Sequence, residues 1–201
     1  MNGHEKRKLR KMSEIKAVTY ELCNQYGTQK VSVDEVAERA NVSKATIYKY
    51  FGSKEDLIES VVSDIYENII LNTSSMIEKD GDFLEKLNHI IMAKVSSLDM
   101  MKGDFLKEVF SKNNSAVSKM FNEKLKDLMY GFYQQGKEQG YIDEGISNDI
   151  LYAFSEAFNA GFQAVFDTDI INTKDSEAMS QLINLYFHGF IKQKNNRYKV
   201  R

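Results

Sequence analysis

Residues 44–50 concentrate the side-chain types that proteins use to contact duplex DNA. Lys44 and Lys49 are positively charged, and Thr46, Tyr48 and Tyr50 carry hydroxyl groups. Lysine neutralises phosphates or hydrogen-bonds to guanine edges, and hydroxyl groups hydrogen-bond to the sugar–phosphate backbone. The alternative is a surface helical hairpin whose polar residues are merely solvated. We favour DNA contact, because a helix gains little stability from exposing two lysines and two tyrosines.

A short helix is predicted just before this run. Ser32 can cap its first turn, and Glu35 can reach back to Ser32 in an S-x-x-E capping box. Apolar residues then recur three and four apart, which gives the helix one apolar face. These residues are Val33, Val36, Ala37 and Ala40.

The chain is predicted to reverse at Asn41, because Asn tolerates the left-handed backbone conformation. Val42 then fills the corner, and Ser43 can cap a second helix that includes the lysines and tyrosines. Ile47 is predicted to be its inward-facing residue. The two helices and their turn therefore predict a helix-turn-helix over 32–51, whose second helix is shaped to enter a major groove.

The run from Ile15 to Val62 resembles the DNA-binding domain of TetR-type (TetR/AcrR-type) transcriptional regulators. Two positions depart from the family pattern. Asn41 stands where the family usually has Gly, and Ala45 stands where Gly is frequent. The motifs that carry the resemblance are A-N-V-S at 40–43, S-K-A-T-I-Y-K-Y-F at 43–51 and S-K-E-D-L at 53–57.

Roles in DNA binding follow from residue type and position. Lys49 and Lys54 are expected to neutralise phosphates, and the resemblance implies phosphate contacts for Tyr48 and Lys54. Lys44, Ala45 and Tyr50 are the candidates for base-edge contact. The complete predicted set is Thr28, Ser43, Lys44, Ala45, Thr46, Tyr48, Lys49, Tyr50 and Lys54.

The whole chain is predicted to be all-α, with about nine helices. It has 201 residues and no proline. We expect a three-helix helix-turn-helix DNA-binding domain over 8–68 and a helical ligand-binding and dimerisation domain over 69–195. The predicted helices beyond the helix-turn-helix cover 53–75, 83–95, 105–110, 117–132, 147–167 and 175–194.

Charge is distributed unevenly along the chain. Residues 1–54 contain eleven Lys and Arg against six Asp and Glu, whereas the rest contain sixteen against twenty-three. This asymmetry fits a protein that touches phosphate with one end. The basic segment His4–Lys11 is either a solvated tail or an arm that follows the DNA backbone.

The last two predicted helices are apolar over more than half their circumference. They are either central helices of the body or the face of a symmetric four-helix dimer interface, and we favour the dimer. Dimerisation would present two recognition helices to successive major grooves, and the resemblance implies the same arrangement. The predicted interface residues are Ala153, Phe154, Ala157, Phe158, Gly161, Phe162, Leu182, Tyr186 and Phe190.

Methionine and aromatic residues in the middle of the chain are adaptable enough to line a pocket for an apolar ligand. The same residues at helical spacing also fit an ordinary core. The resemblance implies a pocket for a hydrophobic small-molecule effector. The candidate lining residues are Met92, Met101, Phe105, Phe110, Phe121, Met129, Phe132, Asn159 and Gln163.

Other function classes lack their characteristic residues. The three histidines are scattered, and we expect no metal, cofactor or catalysis. Cys23 is expected to be a packed thiol in a cytoplasmic protein without a membrane span. The sequence therefore predicts a ligand-responsive regulator, most simply a repressor, that binds palindromic operator DNA as a homodimer. The alternative is a ligand-independent DNA-organising protein on the same fold.

Overall fold

The computed structural model describes residues 2–100, 105, 108, 109, 115–166, 181 and 185, except the side chains of 95, 97–100, 159 and 162–166. Seven helices and no strand occur in these ranges. The helices are α1 (Gly3–Tyr26), α2 (Val33–Arg39), α3 (Lys44–Phe51), α4 (Lys54–Glu78), α5 (Phe83–Met100), α6 (Ala116–Glu138) and α7 (Asn148–Phe166).

The all-helical prediction is confirmed for the described part of the chain. Seven of the nine predicted helices are present, and the other two, over 105–110 and 175–194, fall mostly outside the described residues. The chain divides into two compact units, Met1–Thr73 with Met92–Glu123, and Ser74–Ile91 with Lys124–Arg201. The domain limits 8–68 and 69–195 stay a prediction, since α4 runs unbroken through residue 68.

The first unit has a core shared by the helix-turn-helix and its neighbours. Ile15, Leu22 and Ile47 are fully buried there, together with Phe105 and Val109. Burial of these side chains fixes α3 to α1, because each removes apolar surface from water.

Aromatic contacts tie the segment near residue 105 to this core. The Phe105 ring meets Tyr20 edge-on, with 5.9 Å between ring centroids. Tyr66 on α4 stacks on Phe121 at 4.2 Å, and its hydroxyl donates to the Val109 carbonyl. Paired rings add stabilisation beyond the area that they bury.

The second unit has its own core around Phe83. Its ring stacks on Phe132 at 4.5 Å and lies so close to α6 that a Cβ atom at Gly136 would stand 2.8 Å from it. Helix α6 passes through Gly136, continues to Glu138 and then turns at Gly140, whose φ is 77°. Glycine is required at position 136 because the Phe83 ring approaches α6 closely there.

Among the described residues of the second unit, one charged side chain is buried. Lys86 is 8% exposed, and its Nζ donates to the Ile77 carbonyl and to Gln135 Oε1, each at 2.9 Å. Ile77 lies in the last turn of α4, where backbone carbonyls lack helical partners. Lys86 therefore satisfies the end of α4 and joins it to α5 and α6.

Candidate nucleic-acid interface

Helix α2 begins at the predicted cap. Ser32 Oγ accepts a hydrogen bond from the Glu35 backbone N–H at 3.2 Å. The Glu35 carboxylate pairs with Arg39 Nη2 at 2.8 Å, one turn further along α2. The predicted return contact from Glu35 to Ser32 is thus replaced, among the described residues, by an ion pair along the helix.

The turn after α2 has the predicted left-handed residue. Asn41 has φ 50°, and it is the one non-glycine residue with positive φ in the described ranges. The Val42 N–H donates to the Ala37 carbonyl at 2.9 Å, and the Asn41 N–H donates to the Glu38 carbonyl at 3.1 Å. These two bonds make a Schellman motif, which satisfies the last carbonyls of α2 and fixes the direction of the chain into α3.

Ser43 caps the start of helix α3, as predicted. Ser43 Oγ accepts from the Thr46 N–H at 3.2 Å and lies 2.9 Å from Thr46 Oγ1. Ile47 is fully buried, and Gly52, with φ 89°, ends the helix. Caps at both ends and one buried anchor hold this two-turn helix, which is too short to be stable alone.

The outward face of α3 carries four of the predicted DNA contacts. Lys44, Ala45, Tyr48 and Lys49 are exposed, and Thr46 is half-buried. Ala45 and Lys49 lie opposite Ile47, Thr46 and Tyr48 lie to either side, and Lys44 projects from the first turn, so a major groove is accessible to the exposed residues.

Tyr50 lies differently from the other predicted base contacts. It follows Ile47 by three residues, so it shares that residue's face, and it packs half-buried against the first core. Lys8 on α1 stands over the ring, with Nζ 5.9 Å from its centroid. The expectation that both tyrosines stand free on the helix surface is therefore wrong for Tyr50.

Lys54 and Thr28 are brought to the same loop. Lys54 opens α4, after Ser53 caps that helix by accepting the Asp56 N–H at 3.0 Å. Lys54 Nζ donates to the Gln29 carbonyl at 3.3 Å, next to Thr28. Because the backbone N–H groups at a helix start also attract anions, this is a suitable place for a phosphate.

Lys44 is not free in the structure. It forms an ion pair with Asp34, in the first turn of α2. The hydrogen bond to Asp34, and then the negative charge of that carboxylate, raise the pKa of Lys44. Sequence reasoning missed Asp34, because its proximity to Lys44 depends on how the two helices cross.

Cys23 is a packed thiol, as expected. It is fully buried on α1. Burial, and then the negative charge of Glu108, raise the pKa of the Cys23 thiol to about 11, although Lys54 acts in the opposite direction. A thiol that stays protonated at neutral pH is a poor nucleophile.

The predicted dimer residues that can be described lie on α7. Ala153, Phe154, Ala157 and Gly161 are exposed, whereas Phe158 packs half-buried against the second core. The side chain of Phe162, and Leu182, Tyr186 and Phe190, lie outside the described residues.

The predicted pocket residues are divided between the two units. Phe105 and Phe121 belong to the first core, Met129 and Phe132 belong to the second core, and Met92 is 48% exposed. Met101, Phe110 and the side chains of Asn159 and Gln163 lie outside the described residues. The pocket therefore stays a prediction.

Across the described part of the chain, no three His, Cys, Asp or Glu residues are grouped closely enough to hold a metal ion. None of the described helices has the length and apolar character needed to cross a membrane.

Known proteins resemble this chain in sequence. YvkB of Bacillus subtilis, an uncharacterized HTH-type transcriptional regulator, is 27% identical over 59% of this chain and 64% of its own. The fatty acid metabolism regulator protein of the same organism is 26% identical over 70% of this chain and 75% of its own. The nucleoid occlusion factor SlmA of Vibrio vulnificus is 21% identical over 67% of this chain and 66% of its own. The chain thus spans roughly two thirds to three quarters of these relatives.

Solved structures share the fold. The regulator FadR from Bacillus subtilis in complex with stearoyl-CoA superposes with a TM-score of 0.65 at 21% identity, over 88% of this chain and 98% of FadR. The SmeT–triclosan complex superposes with a TM-score of 0.69 at 12% identity, over 92% and 93%.

A family model covers the helix-turn-helix. Residues 15–61 match the model of the bacterial regulatory proteins, tetR family. This range contains the caps, the Asn41 turn and the exposed face of α3. Residues 15–61 are therefore a DNA-binding helix-turn-helix domain of the tetR family type, and the chain as a whole is similar to transcriptional regulators that carry this domain.

Proposed function

We propose that this protein is a cytoplasmic repressor that binds palindromic operator DNA as a homodimer and leaves it when a hydrophobic small molecule binds. The exposed face of α3 is the observation that carries the proposal. Lys44, Ala45, Tyr48 and Lys49 project from a helix whose position is set by Ile47 and by two caps. A recognition helix needs this combination of rigid placement and exposed donors.

The apolar side of α7 supports a homodimer. Ile150 and Phe154 are 63% and 38% exposed, although large apolar side chains are usually buried. The small residues Ala153, Ala157 and Gly161 are also exposed and would let a second helix approach closely. The same surface on two copies would form an isologous contact, and binding to successive major grooves would require the two α3 helices to lie about 34–36 Å apart.

The core of the first unit supports control by a ligand. Phe105 and Val109 are buried against α1 and α4, through Tyr20 and Tyr66. A ligand that displaces the segment carrying them would disturb the core that also holds α3. Coupling of about 1–3 kcal/mol is typical of such systems and lowers operator affinity roughly 5–150-fold.

The chemistry of the ligand is proposed from two structural relatives. FadR of Bacillus subtilis was solved with stearoyl-CoA, and SmeT was solved with triclosan. Both molecules have large apolar parts. We infer a largely hydrophobic effector.

A second function is favoured by one relative. SlmA of Vibrio vulnificus is named as a nucleoid occlusion factor, and it matches about as much of this chain as the metabolic regulator does. The second candidate is therefore a DNA-organising protein without a small-molecule effector. It uses the same DNA interface and differs in having no ligand-dependent release.

One pair of experiments separates the candidates. The purified protein is titrated against its own upstream promoter fragment in a mobility-shift gel, with and without long-chain acyl-CoA. The same compound and an apolar library are screened for an increase in Tm. Repression with release predicts a shifted band that a stabilising compound abolishes. If the band shifts but no compound stabilises the protein, the result contradicts release by an effector and supports the DNA-organising function.

A further inference from the structure

An acidic side chain lies beside the first positive charge of α3. Asp34 belongs to the first turn of α2, and Lys44 is the first residue of α3. Lys44 Nζ pairs with Asp34 Oδ1, and the two side chains are 56% and 68% exposed. The pair therefore lies on the surface of the helix-turn-helix, beside the face proposed to meet DNA.

Fold stability does not account for this pair. Exposed ion pairs contribute little to stability, because water screens them and two flexible side chains must be ordered. The core already fixes α3 through Ile47, and Ser43 caps its first turn. In a DNA-binding surface a carboxylate is also unfavourable, because it repels phosphates.

The geometry gives Lys44 a restricted choice of partners. An ammonium group has three N–H donors, so one can remain on Asp34 while two are available. A guanine edge in the major groove presents two neighbouring acceptors, O6 and N7. A phosphate in the same place would bring its own negative charge against the Asp34 carboxylate.

We propose that Asp34 is a specificity-determining residue, which orients Lys44 toward a guanine edge and keeps it from neutralising phosphates at unrelated sequences. The inference rests on the proposed function, since it concerns how the DNA interface selects its site. Asp34 acts through Lys44 and is a positioning residue.

Two neighbouring groups provide matched controls. Lys49 is exposed on the same helix and has no ion pair in the part of the chain that the structure describes. Glu35 is the next residue after Asp34, and its partner Arg39 lies on α2 itself. Lys49→Gln removes a positive charge that Asp34 does not hold, and Glu35→Gln removes a negative charge that does not hold Lys44.

The test begins with the wild-type protein and Lys44→Gln. Binding-site selection with each protein identifies the operator and the position at which Lys44→Gln relaxes the preference. Affinities are then titrated against the operator, against the operator with that base changed, and against random-sequence DNA. We expect the wild type to favour guanine over adenine there by about tenfold.

Asp34→Asn should weaken this preference while strengthening sequence-independent binding. We expect the preference for guanine to fall to about threefold or less, because Lys44 is no longer oriented. Affinity for random DNA should rise several-fold, and the plot of log affinity against log salt concentration should steepen by about one unit. Glu35→Gln should leave the guanine preference unchanged.

A double-mutant cycle shows whether Asp34 acts through Lys44. In the Lys44→Gln background, Asp34→Asn should no longer change the guanine preference. In the Lys49→Gln background it should have its full effect. Thermal unfolding of each variant checks the fold, and Asp34→Ser, which also suits the start of a helix, replaces any Asp34→Asn protein that fails to fold.

The outcomes distinguish the inference from the proposed function. If the folded wild type enriches no sequence, the proposed function itself fails. If it enriches an operator and Lys44→Gln relaxes one position, but Asp34→Asn leaves that preference and the random-DNA affinity unchanged, the inference alone is overturned. An undiminished effect of Asp34→Asn in the Lys44→Gln background also overturns it.

Discussion

The helix-turn-helix and the second unit use their charged side chains in opposite ways. On the helix-turn-helix, Lys44 and Arg39 form exposed ion pairs, which contribute little to fold stability. In the second unit, Lys86 is buried and its ammonium is held by a carbonyl and an amide oxygen. The first region keeps its donors available for a partner, whereas the second uses them to fix its own fold.

This contrast implies that substitutions divide into two classes. Changes in the second core should lower stability and leave the DNA affinity of the folded protein unchanged. Changes on the exposed face of α3 and at the start of α4 should lower DNA affinity and leave stability unchanged. Single substitutions in each region test this division.

Phe83→Ala should destabilise the protein by about 3–5 kcal/mol, because Phe83 is fully buried and stacks on Phe132. Thermal or urea unfolding measures the loss. Operator affinity, measured well below the lowered Tm, should equal that of the wild type. A loss of affinity in the folded variant would break the division between the two regions.

Gly136→Ala should destabilise by about 1–3 kcal/mol, because the new Cβ atom would stand 2.8 Å from Phe83 and from Ile142. Gly131→Ala on the same helix is the matched control, since nothing lies within 4 Å of its Cβ position. That control should gain up to about 1 kcal/mol from higher helix propensity. Equal effects of the two substitutions on Tm would show that close approach to Phe83 is not the reason for Gly136.

Lys54→Ala should weaken binding to all DNA sequences similarly and reduce the salt slope by about one unit, because one phosphate contact is lost. Lys54→Arg keeps the charge and should keep the slope. The measurement is a titration of affinity at several salt concentrations. A slope unchanged by Lys54→Ala would remove this residue from the phosphate contacts.

The smallest effect on stability is expected from ionisation of the Cys23 thiol, in the core beneath the helix-turn-helix. Its thiol pKa is raised to about 11, so the folded state favours the protonated thiol over the thiolate. The stability contribution from this shift is complete below the unfolded pKa, near 9, and declines as pH rises toward 11. Labelling by a disulfide reagent should therefore stay slow up to pH 9 in the folded protein and become fast after unfolding in urea. Rapid labelling of the folded protein at pH 8 would contradict a packed, protonated thiol.

The helix-turn-helix was predictable because its determinants are local in sequence. Ser32 and Ser43 cap helices within three residues of themselves, and Asn41 sets the turn by its own backbone preference. The inward position of Ile47 follows from helical spacing. Such features require no knowledge of the rest of the fold.

The remaining features depend on residues that are distant in the chain. Gly136 looks like a helix end until Phe83 is known to pack on it, and Lys86 looks exposed until Gln135 and Ile77 surround its ammonium. Burial of Tyr50 follows from its spacing to Ile47, which sequence reasoning overlooked. The pairing of Asp34 with Lys44 depends on the crossing of two helices, and the sequence contains no direct signal for it.

Binding-site selection with the wild-type protein shows whether two recognition helices bind DNA together. We expect an inverted repeat whose half-sites are centred about 10 base pairs apart, or a multiple of that spacing, since two copies of α3 must enter major grooves on one side of the duplex. Folded protein that enriches no sequence, or only one unrepeated half-site, would contradict a symmetric pair of recognition helices.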